Sequence, residues 1–363
     1  MLWPSAPTLL APLAPWFEVA RRDLPWRAGD LDAPHPDPYA VLVSELMLQQ
    51  TQVATVIPYF TRWMEQFPDP EALAEAGEDT VHKAWEGLGY YRRARFLKAA
   101  AGTIAAEGWP GDLEGLARLP GLGPYTAAAV GSIAFQWPAP ALDGNAFRVL
   151  ARLLLIEGDP KARATDLRVW LAPALAAHGP SRLTQALMEL GATVCTPAPT
   201  CGGCPLADRC GARRADRTGE IPPVAKRAKP KASSLWLVAL EAEGHVLLHA
   251  PAAKGLLAGL WRWPALDAEA VPAGRGAASL TAWPGWIQVY THRRESVSPL
   301  HLRLDRRFQA AEGLRWIPIG DLPALPLGKR DQRLRDLLAT PGQRPLEAPD
   351  PFALIGACAA PSA

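Results

Sequence analysis

Two carboxylates in this chain of 363 residues stand where their surroundings give them chemistry. Glu45 is the sole carboxylate of the run Tyr39-Ala40-Val41-Leu42-Val43-Ser44-Glu45-Leu46-Met47-Leu48-Gln49-Gln50-Thr51, which reads as a helix apolar on nearly every face. Burial among Val43, Leu46, Met47 and Leu48 penalises the charged form, so the pKa is expected to rise, and a carboxyl that keeps its proton near neutral pH suits general acid catalysis. Asp143 precedes Gly144-Asn145 and a new helical run, Ala146 to Leu155, where its bland role is an N-cap. A carboxylate at that place can also face positive charge developing on a sugar, which is the chemistry of N-glycosidic bond cleavage.

The segment ahead of Asp143 would bring a substrate to it. Leu119-Pro120-Gly121-Leu122-Gly123-Pro124-Tyr125-Thr126 joins two helical patterns through Gly121 and Gly123, and Pro124 suits a first helical position. The free N–H groups of such a helix start attract anions, and a nucleic-acid phosphate is the obvious one. Gly87-Leu88-Gly89-Tyr90-Tyr91-Arg92-Arg93 repeats the glycine turn with aromatic and basic residues behind it, the combination that wedges into a base stack. Gln49-Gln50-Thr51 ends the Glu45 helix in uncharged hydrogen-bonding side chains suited to base edges. Other helices are predicted over Leu13 to Arg22, Pro58 to Phe67, Pro70 to Ala76, Glu78 to Trp85, Pro110 to Ala117, Asp166 to His178 and Pro180 to Val194.

Cys195, Cys201, Cys204 and Cys210 crowd into sixteen residues, unlike a disulfide framework spread through an exported chain. Four thiolates this close can hold one metal centre, and the spacing alone leaves zinc and an iron–sulfur cluster both open. The fifth, Cys358, lies in a Pro/Ala-rich tail as a spare thiol.

Length and an apolar content of 49% allow two cores. No stretch is apolar and long enough to span a membrane, and residues 1–15 lack the pattern of a signal peptide, so a cytoplasmic location is expected. A net charge of +2 is small, but basic residues gather at Arg92, Arg93, Arg95 and Lys98 and again from Arg213 to Lys231, enough to hold a phosphate backbone locally.

Taken together, Leu24-Pro25-Trp26-Arg27, Ser44 to Val53, Gly87 to Tyr91, Leu119 to Thr126, Asp143-Gly144-Asn145, Leu190-Gly191-Ala192 and the four cysteines resemble the MutY-type adenine DNA glycosylases. These belong with endonuclease III to the helix-hairpin-helix and iron–sulfur superfamily. The resemblance implies that Glu45 protonates the adenine and Asp143 stabilises the sugar cation, with Tyr125 and Asn145 in support. It implies that Leu24, Trp26, Arg27, Gln50, Thr51, Leu88, Gly89, Tyr90 and Gln185 line the pocket or enter the duplex, with Gly121 and Gly123 at the backbone. It also implies a [4Fe-4S] cluster on Cys195, Cys201, Cys204 and Cys210. One departure is that the family usually places six residues between its first two cysteines and this chain has five, so Thr196 to Thr200 must take a shorter path. Where endonuclease III carries a lysine nucleophile after the hairpin, this chain has Tyr125, which favours a monofunctional glycosylase.

Composition changes past Cys210. A glycosylase domain over 1–212, a basic linker over 213–233, a second domain over 234–340 and a disordered tail over 341–363 are expected. Leu235 to Leu240 and Val246 to Leu248 flank a Glu243-Gly244 turn signal and predict a β-hairpin, and Leu322 to Leu338 a loop and a last helix. Gly255 to Pro264 is similar to the strand and loop of the family's Nudix-like C-terminal domain. The glutamate-dense helix of a diphosphate hydrolase is missing, so this domain reads as a recognition module. Tyr290-Thr291-His292 is the nearest match to the family's Phe-Ser/Thr-His loop, which reads 8-oxoguanine. The predicted fold is therefore multidomain, all-helical and then α+β. The predicted activity is excision of adenine opposite 8-oxoguanine in duplex DNA by a monomeric enzyme. An endonuclease III-like glycosylase and lyase, and a non-catalytic iron–sulfur damage binder, are the alternatives.

Overall fold

The structure is a computed structural model that describes residues 3–223, 230–255, 257–267 and 279–339. The expected tail, Cys358, and part of the linker lie outside the described residues. No described helix is long and apolar enough to cross a membrane. The chain divides into two compact units, Met1–Glu75 with Arg95–Lys226 and Ala76–Ala94 with Arg227–Ala363.

The first unit is helical, with no strand among its described residues. Asp37 accepts a hydrogen bond from the Ala40 N–H and starts the helix Pro38–Leu48, in which every residue from Tyr39 to Met47 is buried. The helix stops at Leu48 rather than running to Thr51, because Gln50 turns left-handed at φ 58°. The next helix is Val53–Gln66 and contains Pro58 instead of starting at it. A proline one turn inside a helix loses one backbone bond, and here Val56, Phe60 and Trp63 bury enough apolar surface to offset that. Leu113–Arg118, capped by Asp112, and Pro124–Phe135 form the hairpin, and the alanine-rich second helix packs on the Glu45 helix. Gly144–Leu153 buries Ala146, Val149, Leu150 and Leu153 at the spacing of one helical face, against Leu171 and Leu175 of Ala164–His178 and Leu183, Leu187 and Leu190 of Pro180–Thr193.

The expected linker is partly structured. Gly211–Arg214 is helical, Ile221 is 2% exposed, and the first strand already begins at Lys231. The helix Arg92–Glu107 has no counterpart in the sequence reading.

In the second unit, β1 (Lys231–Ala242), β2 (His245–His249), β3 (Ala265–Asp267), β4 (Ser279–Ala282), β5 (Trp286–Val289), β6 (Arg293–Leu304) and β7 (Leu314–Pro318) form one mixed sheet. Its order is β4-β6-β1-β2-β7, with β3 also on β1 and β5 also on β6. The predicted hairpin is present: Ala242 pairs with His245, and Glu243 and Gly244 both take positive φ, as a two-residue type I′ turn demands. The parallel pairing of β1 with β6 runs from Lys231 opposite Arg293 to Ala242 opposite Leu304, which is why β1 starts ahead of its apolar residues. Leu235, Leu237 and Ala239 pack on one face with Trp263, Trp286 and Leu334 of the last helix, Lys329–Leu338, while Val238 and Leu240 pack on the other with Leu247 and Leu302.

Residues 76–94 were expected in the first domain but join the second unit through specific bonds. Lys83 Nζ donates to the Leu325 carbonyl at 3.4 Å, Glu86 accepts from the Leu327 N–H at 3.0 Å, and Tyr91 Oη donates to the Leu327 carbonyl at 3.3 Å. A Cβ on Gly259, whose φ is +82°, would strike the His82 ring.

Candidate active site

The site is a cavity of about 520 Å³ in the first unit, within the ordinary range for a small ligand. Glu45, Tyr125, Asp143 and Asn145 line it together with Leu24, Trp26, Arg27, Gln50, Thr51 and Gln185. These sequence-predicted residues come from well-separated stretches, so the helical fold is what gathers them.

Glu45 is 7% exposed on its apolar helix. Burial pushes its carboxyl up to about 7, the neighbouring Asp143 charge adds to the rise, and the Tyr125 hydrogen bond and the Arg27 charge oppose it. Tyr125 Oη donates to Glu45 Oε2 at 2.9 Å, and burial together with the Glu45 and Asp143 charges holds that phenol well above its usual value. Tyr125 is therefore a fixed donor that orients the carboxyl. The position follows from the hairpin, where Pro124 starts the helix and Tyr125 stands in its first turn.

Asp143 serves as the cap and lines the cavity at once. Its Oδ1 accepts from the Ala146 N–H at 2.6 Å and its Oδ2 from Asn145 Nδ2 at 3.1 Å. Burial raises its pKa, and these two donors pull against that rise. Asn145 is braced from behind by Arg148, whose Nη2 donates to Asn145 Oδ1 and to the Gly191 carbonyl, both at 2.8 Å. Gly191 permits this approach, since a Cβ there would come within 2.6 Å of the Asn145 Cβ.

Sequence reasoning missed a third carboxylate. Glu189 is fully buried, and its two oxygens are held by Arg22 Nε at 2.6 Å and Arg27 Nη2 at 2.8 Å. Burial alone would raise its pKa, but the two guanidiniums outweigh burial and hold it below the usual carboxylate range. Arg22 and Glu189 both line the cavity. The flag that found Glu45 applies here too, because Glu189 sits among Ala186, Leu187 and Leu190 of an apolar helix.

In the hairpin, Gly121 takes φ +79° and a Cβ on it would overlap the Phe96 ring, so glycine is required there. Gly123 has φ −71° and open space around it, so the fold itself does not demand its missing side chain.

Leu88, Gly89, Tyr90, Tyr290, Thr291 and His292 belong to the second unit and do not line the cavity. Leu88 is 5% exposed and packed inside. Tyr90 projects instead, 45% exposed with φ 50°, over the Arg93 guanidinium that binds the Leu88 and Gly89 carbonyls. Its hydroxyl makes a short hydrogen bond with Thr291 Oγ1. Thr291 and His292 are exposed between β5 and β6, and Tyr290 is half-buried.

Cys195, Cys201, Cys204 and Cys210 are all free thiols lining one small cavity with Val194, Pro199 and Ala207. Among the described residues no three His, Cys, Asp or Glu side chains converge closely enough to hold a single metal ion. The five-residue loop closes with the Thr200 N–H on the Val194 carbonyl at 3.0 Å.

Residues 43–173 match the family of HhH-GPD superfamily base excision DNA repair proteins. The chain is 34% identical to the adenine DNA glycosylase of Mus musculus over 84% of its own length and 73% of that protein. It is 38% identical to that of Arabidopsis thaliana over 72% of this chain, and 38% to that of Homo sapiens over 71%. The chain spans 48% and 57% of those two longer relatives. Among solved structures, a thermostable thymine-DNA glycosylase superposes with a TM-score of 0.50 at 24% identity, covering 57% of this chain and 96% of that one, and so shares the helical fold.

Proposed function

The chain belongs to the adenine DNA glycosylase family, and from that premise we propose that it removes adenine from duplex DNA where the base stands opposite 8-oxoguanine. The observation that carries this reading is Glu45, a buried carboxyl whose pKa lies at about 7, hydrogen-bonded by Tyr125 in the cavity that Asp143 also lines. The target adenine must leave the stack to reach it. Glu45 then donates its proton to the base, which departs neutral, while the Asp143 carboxylate faces the positive charge spreading over the sugar. Arg22 and Arg27, fixed on Glu189, form a cationic wall whose carboxylate is already matched and so does not take the proton meant for the base. Release of free adenine from an oligonucleotide with one 8-oxoguanine:adenine pair tests the proposal, and a chain that binds the duplex yet releases nothing would instead be a damage binder.

The leaving strand should remain whole. The residue after the hairpin is Tyr125, and its phenol is engaged with Glu45, so no amine stands there to form a Schiff base. The product is expected to be an abasic strand that breaks only on heating in alkali. Borohydride trapping of protein on DNA in stoichiometric yield would reassign the chain to the lyase class.

The four thiols fit an iron–sulfur cluster of the [4Fe-4S] type. The four sulfurs line one small cavity with Val194, Pro199 and Ala207, an all-thiol donor set that suits such a cluster. Such a cluster would tie the segment 195–210 to the end of the Gly144–Leu153 helix.

The mixed sheet is read as a Nudix-like recognition domain, with Thr291 and His292 reading the base opposite adenine. Their side chains are exposed at the head of β6, and 8-oxoguanine differs from guanine by a carbonyl at C8 and a proton on N7. Each hydrogen bond to such a group is worth about 1 kcal/mol. Replacing both residues by alanine should therefore narrow the preference for 8-oxoguanine over guanine partners by roughly 5- to 30-fold, for one or two such bonds lost, read from single-turnover rates and affinities on the two duplexes. An unchanged ratio would move the lesion reading elsewhere.

A further inference from the structure

The residue that does most to shape the cysteine loop is not a cysteine. Arg152 lies near the end of the Gly144–Leu153 helix, the helix that Asp143 caps, and is only 4% exposed. Its Nη1 donates to the Thr196 carbonyl at 2.6 Å and approaches Cys195 Sγ at 3.4 Å. Its Nη2 donates to the Pro197 carbonyl at 3.0 Å and its Nε to the Ile221 carbonyl at 2.8 Å. Its own carbonyl lies 3.4 Å from Cys210 Sγ. One side chain thus joins the first ligand candidate, the loop after it and the segment beyond the last, while its backbone meets the last.

Charge makes the arrangement more telling. A buried guanidinium is costly unless an anion accompanies it. Arg152 has no carboxylate at ion-pair distance among the described residues, and its acceptors are three carbonyls and a sulfur. A second guanidinium, Arg148, donates to the Cys195 carbonyl at 2.8 Å and adds positive charge to the same place. The fold has therefore set two guanidiniums against the first of the four cysteines, Arg152 at its sulfur and Arg148 at its carbonyl.

We propose that Arg152 is the positioning residue that makes the five-residue spacing between Cys195 and Cys201 workable. By gathering the Thr196 and Pro197 carbonyls onto one guanidinium it folds the short loop inward. By donating N–H to the Cys195 sulfur it orients the first ligand and supplies countercharge to the cluster. This rests on the cluster reading of the four cysteines. Hydrogen bonds to cluster sulfurs raise the reduction potential, so the contact has a signature that a purely structural arginine lacks.

The test compares the full chain with Arg152→Lys and Arg152→Met, all purified without oxygen. Iron and acid-labile sulfide per chain, the half-life of the visible cluster absorbance in air, and the reduction potential are measured on each. The unsubstituted chain should hold about four irons and four sulfides. Arg152→Lys keeps the cation, and so the fold, but loses the planar fork, and its cluster should decay about 10–100-fold faster with the potential shifted negative. Arg152→Met should hold iron well below four per chain. Equal iron, half-life and potential in the unsubstituted chain and Arg152→Lys would overturn the assignment, whether or not Arg152→Met folds. Zinc without sulfide in the unsubstituted chain would instead overturn the cluster reading, and the assignment to Arg152 with it.

Discussion

Replacing Glu45 by glutamine is expected to slow adenine release by about 10²–10⁴-fold while leaving affinity for the duplex nearly unchanged. The amide keeps the shape of the carboxyl and can still accept the Tyr125 hydrogen bond at Oε, but it has no proton to give. A stability measurement separates this from general damage. The folded pKa of Glu45, at about 7, lies above its ordinary 4.5, so the stability linked to its proton is present below 4.5 and lost as pH rises through 7. That difference amounts to about 3 kcal/mol, and Glu45→Gln should therefore be more stable than the unsubstituted chain at pH 8 by up to that order. Single-turnover rates near those of the unsubstituted chain would remove Glu45 from the acid's role.

Asp143→Asn is expected to lose release by about 10²–10³-fold, the scale of removing one preorganised electrostatic partner from a charged transition state. Asparagine caps a helix as well as aspartate does, so the bond to the Ala146 N–H and the start of Gly144–Leu153 should survive. Asp143→Ala removes cap and charge together and should add a stability loss of about 1 kcal/mol. Comparing the two variants divides the residue's work. Equal activity in Asp143→Asn and the unsubstituted chain, by single-turnover assay, would leave Asp143 as a cap alone.

The parts of the site that were legible in the sequence share a local cause. Glu45 betrayed itself because its neighbours in the chain are also its neighbours in the helix, and the hairpin because Gly121 and Pro124 punctuate it at the residues that turn and restart. The pairing of Arg22 and Arg27 with Glu189 was not legible, because only the packing of Pro180–Thr193 near the chain's start brings these charges together. The β2 hairpin partner was read from Glu243-Gly244, whereas the parallel match of β1 to β6 joins distant segments with no turn between them to announce it. The grouping of residues 76–94 with the second unit is equally silent in the sequence, since Lys83, Glu86 and Tyr91 find their partners near Leu325 and Leu327. Trp85 and Arg93 fold the turn at Gly87 to Gly89 so that Leu88 packs inside and Tyr90 is the side chain left outside.

The pH dependence of adenine release under single-turnover conditions bears most directly on the central claim, that a buried Glu45 delivers the proton. On a duplex holding 8-oxoguanine opposite adenine, the rate should be high while Glu45 is protonated and fall about tenfold for each pH unit above 7. It should also fall in acid, as Asp143 takes up a proton at a pH above its ordinary 3.8. A rate that stays level from pH 5 to about pH 9 would contradict the account, because the proton would then come from a group other than Glu45.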